Sequence, residues 1–406
     1  MSCLRFCGYA VLILAARVPS VVNAQSRDTF RDARNKMVSE YIEREGVKNP
    51  RVLMSMRTVP RHEFMPLSVR PLAYHDAALA IGYKQTISPP FVVAYMTESI
   101  DPQPDDVVLE IGTGSGYQAA ILSSLVKEVY SIEIVEALGK QAAERLKRLN
   151  YDNVHTKVGD GYLGWPEHAP FDKIIVTCSP ENVPQPLVDQ LKDGGKMIVP
   201  LGERYRQVFH LFEKQDGKLK ATKLINTLFV PMTGESEAKR QVRPDALHPK
   251  IANGGFDIDE NADGYPDHWH YQRMMSIAAD AGPDGSPCAL YESSEPERPA
   301  QSLQGMAIDG SKVGSVQVSL QYKLENARNG AEGYEKPAFV IHFYDDQRKV
   351  IAEPIMGPWS DTKGWERTGK TFAVPQKARE MILRVGLNGA TGKLWVDDVA
   401  LTASPR

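Results

Sequence analysis

Glu110, Gly112, Gly114 and Gly116 stand close together in VVLEIGTGSGYQAA, residues 107–120. The apolar run that carries Glu110 predicts a buried parallel strand, and Ala119, Ala120, Ile121, Leu122 and Leu125 behind the glycines have helical spacing. Strand, glycine turn and helix let a nucleotide-like ligand lie on bare backbone at a helix N-terminus. The details select the ligand. A dinucleotide fingerprint requires G-x-G-x-x-G, whereas here the third glycine comes one residue early and Tyr117 holds the required place. The negative charge of Glu110 before the turn repels a pyrophosphate and suits a cationic ammonium or sulfonium. The motif favours S-adenosylmethionine over NAD.

Other acids fit the same ligand. Glu133 closes the next predicted strand, about twenty residues beyond the first glycine, where a carboxylate can accept from both ribose hydroxyls. Asp160, followed by Gly161 after the third strand, can accept from an adenine amino group, although an Asp-Gly pair also makes an ordinary turn. Ser88 admits two readings. It is a good N-cap with Pro89 at the first helical position, which suffices to explain it, or its hydroxyl takes part in the chemistry. Cys178 follows the fourth strand near the same rim and reads more simply as a small buried residue than as a nucleophile. His268 and His270 flank Trp269 without a third ligand. Asp259, Asn261, Asp263 and Asp267, with Gly264 at the sixth place, match the first part of an EF-hand calcium loop, but His270 stands where the closing glutamate belongs. A solvated acidic turn is the alternative to bound calcium.

The elements that must position these residues follow from periodicity. Residues 28–45 form an amphipathic helix, 51–57 a second, and 59–66 (VPRHEFMP) a proline-bounded connector. A helix runs from Pro89 to about Ser99. Strands at 107–111, 128–133, 154–158, 171–177 and 197–200 alternate with helices at 137–149 and 186–191, and residues 207–214 and 222–230 suit an antiparallel pair. That alternation predicts an α/β fold, a doubly wound parallel sheet with ligands at the carboxyl ends of its strands. Near Lys239 the character changes: residues 235–250 read as a polar linker, and beyond it short alternating runs such as SVQVSLQY, AFVIHFY and KLWVDDVAL predict an all-β sandwich or jelly roll over 251–406.

At 406 residues the chain is long enough for two domains. A net charge of −3 without a long basic run gives no reason to expect nucleic acid. Two of the four cysteines, Cys3 and Cys7, lie at the extreme N-terminus, so no disulfide framework is expected. Residues 1–24 have the order of a signal peptide: Arg5, the apolar stretch 9–16, then Val-Asn-Ala before Gln25. The apolar stretch is too short to span a bilayer, and no transmembrane segment is expected in the mature chain.

Residues 31–233 resemble protein-L-isoaspartate O-methyltransferase. VPRHEF, AYHDAALAIGYKQTIS, VLEIGTGSGYQAAIL, VYSIE, the Gly-Asp-Gly, APFDKIIVT, LKDGGKMIVPLG and FVPM occur in that family's order. The resemblance implies a class I, Rossmann-like methyltransferase domain over 25–234. It implies methyl transfer from S-adenosyl-L-methionine to the α-carboxylate of L-isoaspartyl residues in damaged proteins and peptides, without a metal. The family's active-site serine falls on Ser88, and its donor residues on Glu110, Gly112, Gly114, Gly116, Glu133, Asp160 and Gly161. Pro89 replaces the glutamine of the family's usual TISQP. NGGFDIDENADGYPDHW and LWVDDVAL resemble galactose-binding-type jelly rolls found as carbohydrate-binding modules, which implies a glycan partner. The chain is expected outside the cytosol, periplasmic or secreted, if residues 1–24 are removed, and in the cytoplasm, as is usual for the family, if they are not. Two other readings stand beside repair: a methyltransferase for another carboxylate, and a secreted binding protein whose methyltransferase half is vestigial.

Overall fold

The computed structural model describes residues 28–406; the expected export signal lies outside the described residues. The first helix, α1 (Arg31–Val38), runs into a π-helical turn, Ser39–Glu43, so Met37, Val38 and Ile42 share a buried face. Helix α2 (Pro50–Thr58) starts where the Asn49 side chain accepts from the backbone N–H of Arg51 at 3.0 Å, with proline at its first position. The proline-bounded connector contains a 3₁₀ turn, Arg61–Phe64. A hairpin that periodicity did not reveal follows, β1 (Leu79–Gly82) and β2 (Gln85–Ile87), turning through Tyr83 and Lys84 at positive φ. It delivers the chain to α3 (Pro90–Ser99).

The central sheet takes β3 (Val107–Ile111), β4 (Glu128–Glu133), β5 (Val154–Val158), β6 (Phe171–Val176), β7 (Leu191–Glu203), β8 (Arg206–Gln215) and β9 (Lys218–Thr227) in the order β5-β4-β3-β6-β7-β8-β9. The first five run parallel and β8 and β9 close the edge antiparallel. Helices α4 (Tyr117–Ser123), α5 (Glu136–Arg148) and α6 (Gln185–Gln190) are the crossovers. Both faces of the sheet are covered, which is why its strands read as continuous apolar runs rather than alternating ones. Val108 packs with α2, α3 and α4, while its neighbours Leu109 and Ile111 pack with Leu187 of α6 on the other side. Each such side chain contributes about 1.5–3 kcal/mol on burial. Strand order reverses between β3 and β6, and a ligand crevice forms outside the strand ends at such a point.

Past a helical turn, α7 (Glu235–Ala238), the chain is all β. Strands β10 (His270–Arg273), β11 (Met275–Ala278), β12 (Cys288–Ser293), β13 (Gln301–Ala307), β14 (Val313–Arg328), β15 (Ala338–Tyr344), β16 (Val350–Ala352), β17 (Ile355–Met356), β18 (Glu366–Ala373), β19 (Glu380–Gly386) and β20 (Thr391–Pro405) form two antiparallel sheets. One is ordered β10-β13-β19-β15-β16 with β17 on β15, the other β11-β12-β20-β14-β18. Their inner faces enclose one core, with Phe339, Ile341 and Leu383 from the first facing Val316, Leu324 and Val396 from the second. This is a β-sandwich. Among the described residues no helix is long and apolar enough to cross a membrane.

The two halves are in close contact. Tyr271 of β10 packs against the core of the N-terminal half. His270 is fully buried, and its Nε2–H donates to the carbonyl of Tyr205 at 2.9 Å. Burial lowers its pKa to about 4, so the ring is neutral at ordinary pH.

Candidate active site

A cleft opens at the carboxyl ends of β3, β4 and β6 and is lined by the glycine turn, Glu133, Gly161, Thr177 and Ser88. The turn folds back over β4, with the N–H groups of Gly112 and Thr113 both donating to the carbonyl of Ile132. That path requires glycine: Gly112 has φ +99°, and a Cβ there would lie 2.6 Å from Thr177 Oγ1. Gly161 is required for space, since a Cβ would clash with Ile111 Cγ2. Bare backbone therefore faces the cleft where a flat or bulky ligand group can approach it.

Glu133 lies on the cleft wall, 5% exposed. One carboxylate oxygen accepts from Gly114 N–H at 2.7 Å and the other from Val135 N–H at 2.9 Å. Burial raises its pKa against the pull of those backbone bonds. Two of roughly four acceptor positions remain for hydroxyl donors.

Glu110 is placed differently from the expectation that its charge faces the ligand. It is fully buried and lies behind the glycine turn rather than among the residues lining the cleft. Ser131 Oγ–H donates to it at 2.5 Å and Thr113 donates to Ser131 at 2.6 Å, while Glu110 Oε1 has no protein partner. Burial, opposed by the Ser131 bond, pushes its pKa up to about 8. Asp160 also turns away from the cleft: its oxygens accept from the N–H groups of Tyr162 at 2.9 Å and Glu235 at 2.8 Å, tying the strand-end turn to the segment that follows β9. Gly161, its neighbour, is the part of the pair on the cleft wall.

Ser88 is not a helix cap. The N-cap of α3 is Pro89, without a side-chain bond, and the helix begins at Pro90. The physical reason is the second proline. A residue before proline is driven out of the helical region, and Pro89 accordingly has ψ 147°, which leaves Ser88 one residue too early. The cap comes from Asp76, whose Oδ1 accepts from Phe91 N–H at 2.9 Å. Ser88 is left on the wall of the cleft that the glycine turn also lines.

Cys178 also borders the cleft, and burial, with Glu133, Asp160 and Glu110 nearby, holds its thiol well above the ordinary range. That environment favours the neutral thiol over a resting thiolate. The acidic turn at 259–267 gathers no metal-binding group. Asp259 accepts from Asp263 and Gly264 N–H, Asp263 from Tyr265 N–H and the Asn261 amide, and Asp267 from Glu260 N–H. Among the described residues no cluster of three or more His, Cys, Asp or Glu is arranged for a metal. In this structure the carboxylates of the segment form a hydrogen-bonded turn, and Asn261 Oδ1 has no protein partner.

The geometry also shows residues that sequence reasoning missed. Thr177 Oγ1 donates to the carbonyls of Ile111 and Gly112, joining the end of β6 to the glycine turn. Fully buried Arg61 donates through Nε to the carbonyl of Ala73 and stacks on Tyr117 at 4.9 Å. Only the position of Thr177 at a predicted strand end could have flagged it.

The sequence pattern of the protein-L-isoaspartate(D-aspartate) O-methyltransferase family matches residues 32–237, a little over half of the chain. The chain belongs to this family. It is 48% identical over 235 residues to protein-L-isoaspartate O-methyltransferase 2 of Syntrophobacter fumaroxidans, covering 55% of this chain and 95% of that protein. Protein-L-isoaspartate O-methyltransferase of Dictyoglomus turgidum is 49% identical over 202 residues, covering 50% of this chain and 92% of its own. A Plasmodium falciparum protein-L-isoaspartate O-methyltransferase solved with S-adenosyl-L-homocysteine aligns with TM-score 0.44 and 25% identity over 49% of this chain and 98% of its own. The N-terminal half is thus a class I S-adenosylmethionine-dependent methyltransferase, and the β-sandwich is an addition beyond the matched residues. In the methyltransferase domain the glycine turn and Ser88 line the same cleft.

Proposed function

We propose that the cleft transfers a methyl group from S-adenosylmethionine to the α-carboxylate of L-isoaspartyl residues in damaged proteins and peptides. The observation that carries this reading is Ser88, released from capping and lining the same cleft as the glycine turn. The donor's sulfonium methyl is already activated, and a carboxylate is ionised near neutral pH. No strong base is required, and catalysis rests on holding one carboxylate oxygen in line with the methyl group while water is excluded. Ser88 O–H donates to the second carboxylate oxygen and so orients the first. Gly112, Gly114, Gly116 and Gly161 give the donor its backbone surface, Glu133 accepts from its ribose, and Glu110 and Asp160 support the turns behind it. The methyl ester formed leaves more readily than a carboxylate, so attack by the adjacent backbone nitrogen gives a succinimide that can open to normal aspartate. The complete glycine turn and the free Ser88 favour a working enzyme over a vestigial one.

The remaining parts of this reading concern the ends of the chain. The signal-like residues 1–24 support action outside the cytosol, and NGGFDIDENADGYPDHW supports a jelly-roll module that takes a glycan.

The test is Ser88→Ala. A hydrogen bond to a charged group contributes about 1.5–3 kcal/mol, so kcat/KM for an isoaspartyl peptide should fall roughly 10- to 100-fold. Donor affinity by calorimetry and the melting temperature should stay at parental values, because Ser88 caps nothing. Parental turnover in the alanine variant would remove Ser88 from the mechanism.

A further inference from the structure

The start of α3 carries Ser88 into the cleft, yet it has no cap of its own. Pro89 offers no side-chain acceptor, and the first turn of a helix has N–H groups that need one. Asp76 supplies it from the loop before β1, and that loop is held by Arg61, which donates to the carbonyls of Ala73 at 2.9 Å and Ala77 at 3.4 Å. The second Asp76 oxygen meets a residue from outside the methyltransferase fold. Arg273 of β10 places Nη2 3.2 Å from Asp76 Oδ2 and its guanidinium carbon 4.1 Å from the centre of the Phe91 ring. The two side chains of the pair are 11% and 6% exposed. Arg273 therefore touches both the acid that caps α3 and the residue whose N–H is capped.

We propose that Arg273 of the β-sandwich is a positioning residue for methyl transfer, holding the Ser88 segment against the donor cleft through Asp76 and Phe91. Removing one partner of a dry ion pair leaves the other buried without a counter-charge, which is strongly unfavourable. Asp76 freed of Arg273 relieves that strain by turning away, and Phe91 N–H loses its acceptor. Arg61, held to the carbonyls of Ala73 and Ala77 through Nε and Nη2, also attracts Asp76 but makes no hydrogen bond to it, so the direct contact to this acid comes from Arg273. The first turn of α3 then loosens together with Ser88 before it. The donor turn, on β3 and β4, makes none of these contacts. The inference rests on the reading of Ser88 as the group that orients the carboxylate, and it gives the added domain a role in the chemistry.

The experiment uses the full chain with Arg273→Met, which keeps an apolar stem over Phe91 and removes the charge, and Arg273→Lys, which restores the charge without the fork. Measured are kcat and KM for an isoaspartyl peptide, S-adenosylhomocysteine affinity by calorimetry, and amide hydrogen exchange over residues 86–91. Displacement of a positioning group by about 1 Å can cost 100-fold, so kcat/KM in Arg273→Met should drop roughly 10- to 100-fold, with parental donor affinity and faster exchange at 86–91. Arg273→Lys should recover part of both the rate and the protection. Parental kcat/KM, parental exchange, or a fall in donor affinity equal to the fall in kcat/KM would each overturn the proposal. Should the methionine variant not fold, the lysine variant carries the same measurements, with a smaller loss of the same kind expected. Ser88→Ala measured in parallel separates the two ideas: parental activity there defeats the Ser88 reading, while the Arg273 variants still decide whether this strut controls the rate.

Discussion

The rim of the parallel sheet and the acidic turn at 259–267 both gather carboxylates and glycines, and they behave in opposite ways. At the rim, Ser88, Gly112, Glu133, Gly161 and Thr177 are far apart in the chain and still line one cleft. Parallel strands all end on the same side, so residues at corresponding strand ends converge without being sequence neighbours. In the turn, Asp259, Asn261, Asp263 and Asp267 are near neighbours; the three carboxylates accept from backbone N–H groups within the same turn or from an amide side chain, while Asn261 Oδ1 has no protein partner. Spacing alone made the turn look like a binding site. Topology made the rim one.

The segment that carries the turn does something else, and the largest expected effect tests it. Tyr271, just beyond the turn, packs in the core of the methyltransferase half. Truncating a fully buried aromatic costs about 3–5 kcal/mol; Tyr271 is partly buried against that core, so Tyr271→Ala should cost less than this and still lower the denaturant midpoint of the methyltransferase half as well as that of the sandwich. A change confined to the sandwich would show the halves to be uncoupled.

Carboxylate removal sharpens the contrast directly. Glu133→Ala should weaken donor binding by about 1.5–3 kcal/mol for each charge-assisted bond lost, whereas Asp259→Ala should leave donor affinity and methyl transfer unchanged. Calorimetry on the two variants side by side decides it, and equal affinities would mean that Glu133 contributes nothing to the donor site.

A further effect concerns Glu110 and appears only as a pH dependence. Its pKa is raised by burial from 4.5 to about 8, so between those values the unfolded chain is ionised and the folded protein keeps the proton. The folded state binds more protons there, and this group's contribution to stability falls as pH rises through the window. Glu110→Gln removes that dependence. The stability of the variant relative to the parent should therefore grow from pH 4.5 to 8 in denaturant titrations, and a pH-independent difference would show that Glu110 ionises normally.

How much was legible in the sequence follows from where the determining contacts lie. The glycine turn, the apolar strands and the acid closing β4 could be read directly, because positive-φ turns restrict local residue choice and burial on both faces imposes apolar runs. The Ser88 cap was misread although its correction was local: Pro90 pushes Pro89 out of the helical region. Glu110 was read correctly as an acid before the turn, but its burial depends on Ser131 and Thr113 from elsewhere in the chain.

By itself the sequence determined the two-part architecture and the family of the first part, since both rest on backbone geometry and periodicity written residue by residue. Only the tertiary structure decided which acids face the cleft, what caps α3 and what Tyr271 and Arg273 do. Phe91 meets Asp76 across 15 residues, and Arg273 meets the same acid across 197. A contact at such separation is set by how whole sheets pack, and no local pattern of residue types encodes it.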